Sequence, residues 1–181
     1  MINENLHWLL SFYRTSEMSG ALFFGQLARR LKPGQIQVDL THHFADEAQH
    51  AWYWTNTLHE LGVEPLSLSE SYQDRYLKEA GLPANLMEVL AVTQVFEQRV
   101  IRQYHQHLAR SEKQPKPVID TLRRIMIDER WHIAWVRKTL DTMREKHGGD
   151  CVDAAIDRFR AADDRIYQSL SNEHLDRLEE S

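Results

Sequence analysis

The string Asp-Glu-x-x-His occurs twice in this chain, as Asp46-Glu47-Ala48-Gln49-His50 and Asp128-Glu129-Arg130-Trp131-His132. Each copy follows a lone glutamate, Glu17 or Glu97, at a spacing of 30 or 32 residues. A single Glu-x-x-His carries little information, because about one is expected by chance at this Glu and His content. Two five-residue copies, each with its upstream glutamate, are a different matter. The intervals between the halves, 80 residues from Glu17 to Glu97 and 82 from Glu47 to Glu129, describe one design used twice.

Hydrophobic period places these residues on helices. Leu6, Leu10, Tyr13, Glu17, Ala21, Phe24 and Ala28 recur at three and four, which predicts a helix over roughly 2–31, stopped by Lys32-Pro33-Gly34. Leu40, His43, Glu47, His50, Trp54 and Leu58 predict a second helix from Gln35 to Leu61, with Gly62 as its C-terminal cap. A short link between long helices makes an antiparallel hairpin over 1–61. Residues 62–83 read as a crossover, Ser-rich at 67–71, with a short helical piece near 72–80. A second hairpin follows over 84–147, with one helix through Leu90, Thr93, Glu97, Val100, Ile101, Tyr104 and Leu108. Its second helix runs through Leu122, Ile125, Glu129, His132, Ile133, Val136 and Leu140. Residues 148–181 carry a last amphipathic stripe (Val152, Ala155, Ile156, Phe159, Ala162, Ile166, Leu170) whose partner, the same bundle or another subunit, the pattern does not identify. The fold class is all-α, a four-helix bundle of two antiparallel hairpins plus a C-terminal helix, in one domain. Only 7 Gly and 5 Pro interrupt the 181 residues, which suits long helices and not short strands.

At 1.5 Å per residue from the hairpin turns, Glu17 and Glu47 lie about 25 and 20 Å up their helices, and Glu97 and Glu129 about 25 and 22 Å. All four carboxylates can therefore occupy one layer, on the inward stripe. Two carboxylates about 4 Å apart repel by about 4 kcal/mol even at an effective dielectric of 20. Four of them in an apolar interior need neutralising. Two divalent cations balance the charge, and the imidazoles of His50 and His132 add nitrogen ligands that shared protons would not require. Oxygen and nitrogen donors without thiolate suit iron or manganese, and zinc is physically possible.

Over residues 6–147 the pattern resembles the ferritin-like di-iron carboxylate superfamily, which includes bacterioferritin, rubrerythrin and di-iron oxygenases. The resemblance implies a di-iron centre of two iron ions, or manganese or a mixed Mn/Fe pair, ligated by Glu17, Glu47, His50, Glu97, Glu129 and His132. It also implies that Asp46 and Asp128 hold ligand histidines from outside, crosswise to His132 and His50. Around the ligands, His43, Tyr13 and Tyr104 lie on the same faces, His43 as a supporting histidine and the tyrosines as packing or electron relays. Gly20 and Ala21 are small one turn after Glu17, leaving room for dioxygen or allowing close helix approach. His105 and His107 read as solvated, and so does the charged run Asp157–Arg165.

The activity implied is that of a non-haem di-iron oxidoreductase that uses O2 or peroxide, oxidises or hydroxylates a small-molecule substrate and draws on a separate electron donor. A ferroxidase or iron-storage ferritin shares the ligands; Ala48 stands where bacterioferritin would place a haem methionine. A rubrerythrin-like peroxidase would carry a thiolate iron domain, which one cysteine cannot build, and an extra Glu where Gln94 and Val100 stand. Multicomponent monooxygenases commonly have Thr where this chain has Ile101. A helical protein without metal is the non-enzyme alternative. The net charge of −5 offers no general attraction to nucleic acid, and no apolar run approaches the length of a membrane span. With the lone Cys151 and no basic start at the N-terminus, the expectation is a cytoplasmic homo-oligomer, a dimer.

Overall fold

In a computed structural model, residues 2–180 are described, apart from the side chains of Ser111 and residues 168–173, so the stripe position Leu170 lies outside the described side chains. The chain is all-α, and no strand occurs among the described residues. Among the described residues six α-helices follow in order: α1 (Glu4–Arg30), α2 (Gln35–Glu60), α3 (Tyr72–Ala80), α4 (Leu86–Leu108), α5 (Lys116–His147) and α6 (Gly149–Glu179), with a 3-10 turn at Ser111–Lys113 before α5. None of the described helices is long and apolar enough to cross a membrane.

Local chemistry sets these bounds. Asn3 caps α1 by accepting from the Leu6 N–H at 2.8 Å, Glu4 sits in the first turn, and Arg29 and Arg30 face the carbonyl end. At α3, Ser71 and Asp74 form a reciprocal capping box: the Asp74 N–H donates to Ser71 Oγ, and the Ser71 N–H to Asp74 Oδ2. Asn85 caps α4 through the Glu88 N–H. Pro117 stands in the first turn of α5, where its missing N–H costs nothing. Gly62 follows α2 with φ +76°, a left-handed backbone that glycine adopts without a Cβ clash.

The helices divide into two compact units. Unit 1 comprises Met1–Asp74, Gln114–Thr121 and His174–Ser181; unit 2 comprises Arg75–Lys113 and Leu122–Glu173. In unit 1, α1 and α2 pack antiparallel, as the opposed order of their contacts shows: Arg14 Nε donates to Thr55 Oγ1 at 2.8 Å, and farther along, Gly25 meets the Phe44 ring. Leu6, Leu9, Leu10, Leu40, Trp54 and Leu58 are buried there. Ser11 and His7 tie down the connector through Leu66 N and the Glu64 carbonyl. In unit 2 the buried set includes Tyr76, Leu90, Leu122, Ile125, Val136, Leu140 and Phe159.

Both ends of α6 find partners within their own chain. In unit 2, the Tyr76 hydroxyl donates to the Phe159 carbonyl at 2.6 Å, and Arg99 pairs with Asp163 while its guanidinium lies 3.4 Å from the Tyr167 ring centroid. In unit 1, Arg177 sits over Trp8 and donates to Asn5, Leu178 is buried, and Asn3 donates to the Glu180 carbonyl. The solvated reading of Asp157–Arg165 is thus wrong at Asp163, which is 4% exposed. Successive residues turn by about 100° around a helix, so a charged run cannot all face water. His107, read as solvated, is fully buried on the same side of α4 as Tyr104; His105 is exposed as expected.

Candidate metal centre

The first half of the repeat is assembled in unit 1. Glu17 from α1 and Glu47 and His50 from α2 each turn a ligand atom to a common place, within 4.8 Å of one another. They are 4%, 5% and 0% exposed. His50 Nδ1 lies 3.7 Å from Glu17 Oε2, too long for a hydrogen bond. Two ligands about 2.1 Å from one ion stand at most about 4.2 Å apart, so this spacing suits a shared cation.

Unit 2 repeats the arrangement. Glu97 on α4 faces Glu129 and His132 on α5, and all three are buried. His132 Nδ1 lies 3.8 Å from Glu97 Oε2 and 3.5 Å from Glu129 Oε2. The sequence repeat thus extends to the ring atom: in each half the same imidazole nitrogen addresses the lone glutamate at nearly the same distance. Burial, and next the charge of Glu129, hold the Glu97 carboxyl well above the usual carboxylate range. Two carboxylates and one imidazole in an apolar interior are a donor set for a divalent cation, and the chain carries buried Glu and His groups able to hold one.

Gly20 is part of how the first half is built. A Cβ at this position would lie 2.5 Å from Glu47 Oε2 and 3.2 Å from its Cδ. The space one turn after Glu17 is therefore filled by the Glu47 carboxylate, which settles why the residue is small.

The surrounding residues fall out unevenly. His43 is fully buried, stacks on Phe24 with centroids 4.0 Å apart, and shares a hydrogen bond with Glu47 Oε1 through Nε2 at 3.1 Å. The matching position four residues before Glu129 is Ile125, so the halves share ligand types and differ in support. Asp46 lies 3.5 Å from His42 Nε2, while Asp128 is half-buried on α5. Tyr104 is buried; Tyr13 packs 5.2 Å from Trp54 and shares a 2.8 Å hydrogen bond with His174 Nε2. Sequence reasoning missed His174. The signal was present, since it falls four residues beyond Leu170 on the α6 stripe. Gln94, buried one turn before Glu97, was also passed over as a mere absence of glutamate.

Comparison with known proteins gives no matching family model, no matching curated protein and no matching solved structure.

Proposed function

We propose that this chain is a non-haem di-iron oxidoreductase of ferritin-like architecture that activates dioxygen or peroxide to oxidise or hydroxylate a small organic substrate. The observation that carries the reading is the duplicated trio: Glu17, Glu47 and His50 in one unit, Glu97, Glu129 and His132 in the other, each buried and each with histidine Nδ1 turned to its lone glutamate. The reading takes the two trios as one dinuclear centre, on the argument that four carboxylates at one level balance two divalent ions.

When bound, the iron pair supplies the electron chemistry and the open coordination positions for the oxidant. The residues supply placement and dryness. Glu17, Glu47, Glu97 and Glu129 bring the negative charge, and His50 and His132 the nitrogen donors. Gly20 gives the Glu47 carboxylate its room, and His43 orients it through Oε1. Tyr13, Trp54 and Tyr104, all nearly inaccessible, keep bulk water from the faces that carry the ligands. An exposed lone Cys151 accords with a reducing, cytoplasmic setting.

The test is anaerobic Fe(II) loading followed by oxygen, with iron counted per chain and the near-ultraviolet oxo-bridge band followed. Two irons per chain and growth of the band are expected. Glu129→Ala or His132→Ala should lose most of the iron while far-ultraviolet circular dichroism stays close to wild type. Full iron in either variant, or none in the wild type, ends the reading.

A further inference from the structure

A groove on unit 2 sets cations over an apolar floor. Where α4 and α5 lie side by side, Gln98, Ile101, Arg102 and His105 from one helix and Ile133 and Arg137 from the other surround an open space of about 390 Å³. The spacing builds it: positions 98, 101, 102 and 105 share one face of α4, and 133 and 137 share one face of α5. Ile101, Ile133 and Gln98 are half-buried, while Arg102, His105 and Arg137 reach water. Small organic molecules occupy pockets of about 300–1,000 Å³, so the volume suits a compact ligand. None of the candidate metal ligands lines the groove.

Its positive charge is unanswered within the chain. Elsewhere in unit 2, Arg144, Arg158 and Arg165 each donate to a carboxylate, of Asp153, Glu88 and Glu79 respectively. Among the described residues, Arg102 and Arg137 have no hydrogen bond, ion pair or ring contact. The sequence explains why. Three and four residues from Arg102 stand Gln98, Arg99, His105 and Gln106, none of them acidic. Around Arg137 the same positions hold Ile133, Ala134, Leu140 and Asp141, and Asp141 already accepts from Arg144 at 2.7 Å. Two guanidiniums thus stand unpaired beside one groove, on a chain whose net charge is −5.

We propose that the groove binds a small organic acid, a carboxylate carried on an apolar body. Arg102 and Arg137 hold their charge at any working pH, and the planar fork of a guanidinium matches a carboxylate through two parallel N–H donors. The His105 ring and the Gln98 amide add donors at the rim. Ile101 and Ile133 take the apolar part, which an inorganic anion lacks. A bilayer or a folded acidic protein presents a flat or convex surface, whereas a concave space of this volume fits a free molecule. The inference is independent of the metal reading, since it uses no glutamate or histidine of either trio.

NMR titration of the full chain with hexanoate, following the Ile101 and Ile133 Cδ1 methyls and the His105 ring, tests it. Saturable shifts at all three residues are expected. Butanoate, two methylenes shorter, should bind about 4- to 15-fold more weakly, for half or full burial of each methylene. Hexanol, which lacks the charge, and inorganic phosphate, which lacks the apolar body, should each be weaker than hexanoate by about 10-fold or more. Arg102→Gln plus Arg137→Gln, both at exposed positions, should keep the circular dichroism of the wild type and weaken hexanoate by about 10-fold or more. Lys138→Gln removes an exposed cation outside the groove and should leave the affinity within about 2-fold. Absence of shifts at Ile101 and Ile133, equal affinity for phosphate and hexanoate, or an equal loss in the Lys138→Gln protein overturns the inference. So do shifts that arise only with phosphatidylserine vesicles or with polyglutamate.

Discussion

Gly20→Ala separates the cost of holding a metal from the cost of folding. The new Cβ would stand 2.5 Å from Glu47 Oε2, where ordinary contact begins at 3.4 Å, so the oxygen must retreat by about 0.9 Å. Retreat is restricted, because Glu47 is 5% exposed and its other oxygen is hydrogen-bonded to His43 at 3.1 Å. Ligand distances in metal sites tolerate only about 0.2 Å. Disturbing a group that merely supports a ligand costs about 10–100-fold in affinity, and displacing the ligand itself should reach the upper end, about 100-fold or 2.7 kcal/mol. Folding answers differently. Alanine gains about 1 kcal/mol over glycine inside a helix, and overpacking costs about 1–3 kcal/mol, so the metal-free variant should stay within about 2 kcal/mol of wild type. Isothermal titration with Zn(II), a redox-silent probe of the site, reads the first effect. Urea denaturation of the metal-free protein reads the second. A Gly20→Ala protein that binds metal with wild-type stoichiometry and affinity would refute the placement of Glu47 as a ligand.

Two other perturbations address buried charge in unit 2. Because the folded chain holds the Glu97 carboxyl above its ordinary value of about 4.3, the native state keeps a proton that the unfolded chain releases. Its contribution to stability is full below that ordinary value and is lost as pH rises through the folded value. Metal-free Glu97→Gln should therefore lose part of the decline in stability with rising pH, and denaturation curves of the two proteins that stay parallel across pH 4–8 would contradict this. The Arg99–Asp163 pair, 3% and 4% exposed, should behave as a unit. Arg99→Leu leaves Asp163 buried without its guanidinium and should cost about 3–5 kcal/mol by urea denaturation, whereas Arg99→Leu with Asp163→Leu should recover most of it. Equal losses in the single and double variants would show that packing against Tyr167, not charge, carries the effect.

The helices were legible because a period near 3.6 is a property of one segment at a time. Leu6, Leu10, Tyr13, Glu17, Ala21, Phe24 and Ala28 are buried as that period requires, and so are Leu40, His43, Glu47, His50, Trp54 and Leu58. The candidate ligands shared this advantage, since Glu and His three apart face one way on any helix. What could not be read were relations between distant segments. Asp163 looked like one charge among many because its partner, Arg99, stands 64 residues away. The C-terminal stripe showed that α6 needed a partner without saying that its last turns return to Trp8 and Asn5 at the start of the chain.

Gly20 shows where pattern ends and geometry begins. From sequence, a small residue one turn after a ligand admits two explanations, space for a reactant or close approach of a helix, and both predict glycine equally well. The distance from an imagined Cβ to Glu47 Oε2 distinguishes them, because it names the atom that occupies the space. The same reasoning separates the two halves of the repeat. His43 and Ile125 are both fully buried four residues before their glutamates, and hydrophobic period treats them alike. Only His43 can donate a hydrogen bond, so the carboxylate of Glu47 is oriented from its own helix in a way that Ile125 cannot provide for Glu129. Equal donor sets therefore do not imply equal metal positions. If the half containing Glu47 is the better preorganised, it should take up the first ion in the Zn(II) titration, and Gly20→Ala should abolish that early, tighter phase while leaving the later one in place. A single phase in the wild type, or loss of the later phase alone, would mean that the hydrogen bond from His43 contributes nothing to the order of filling.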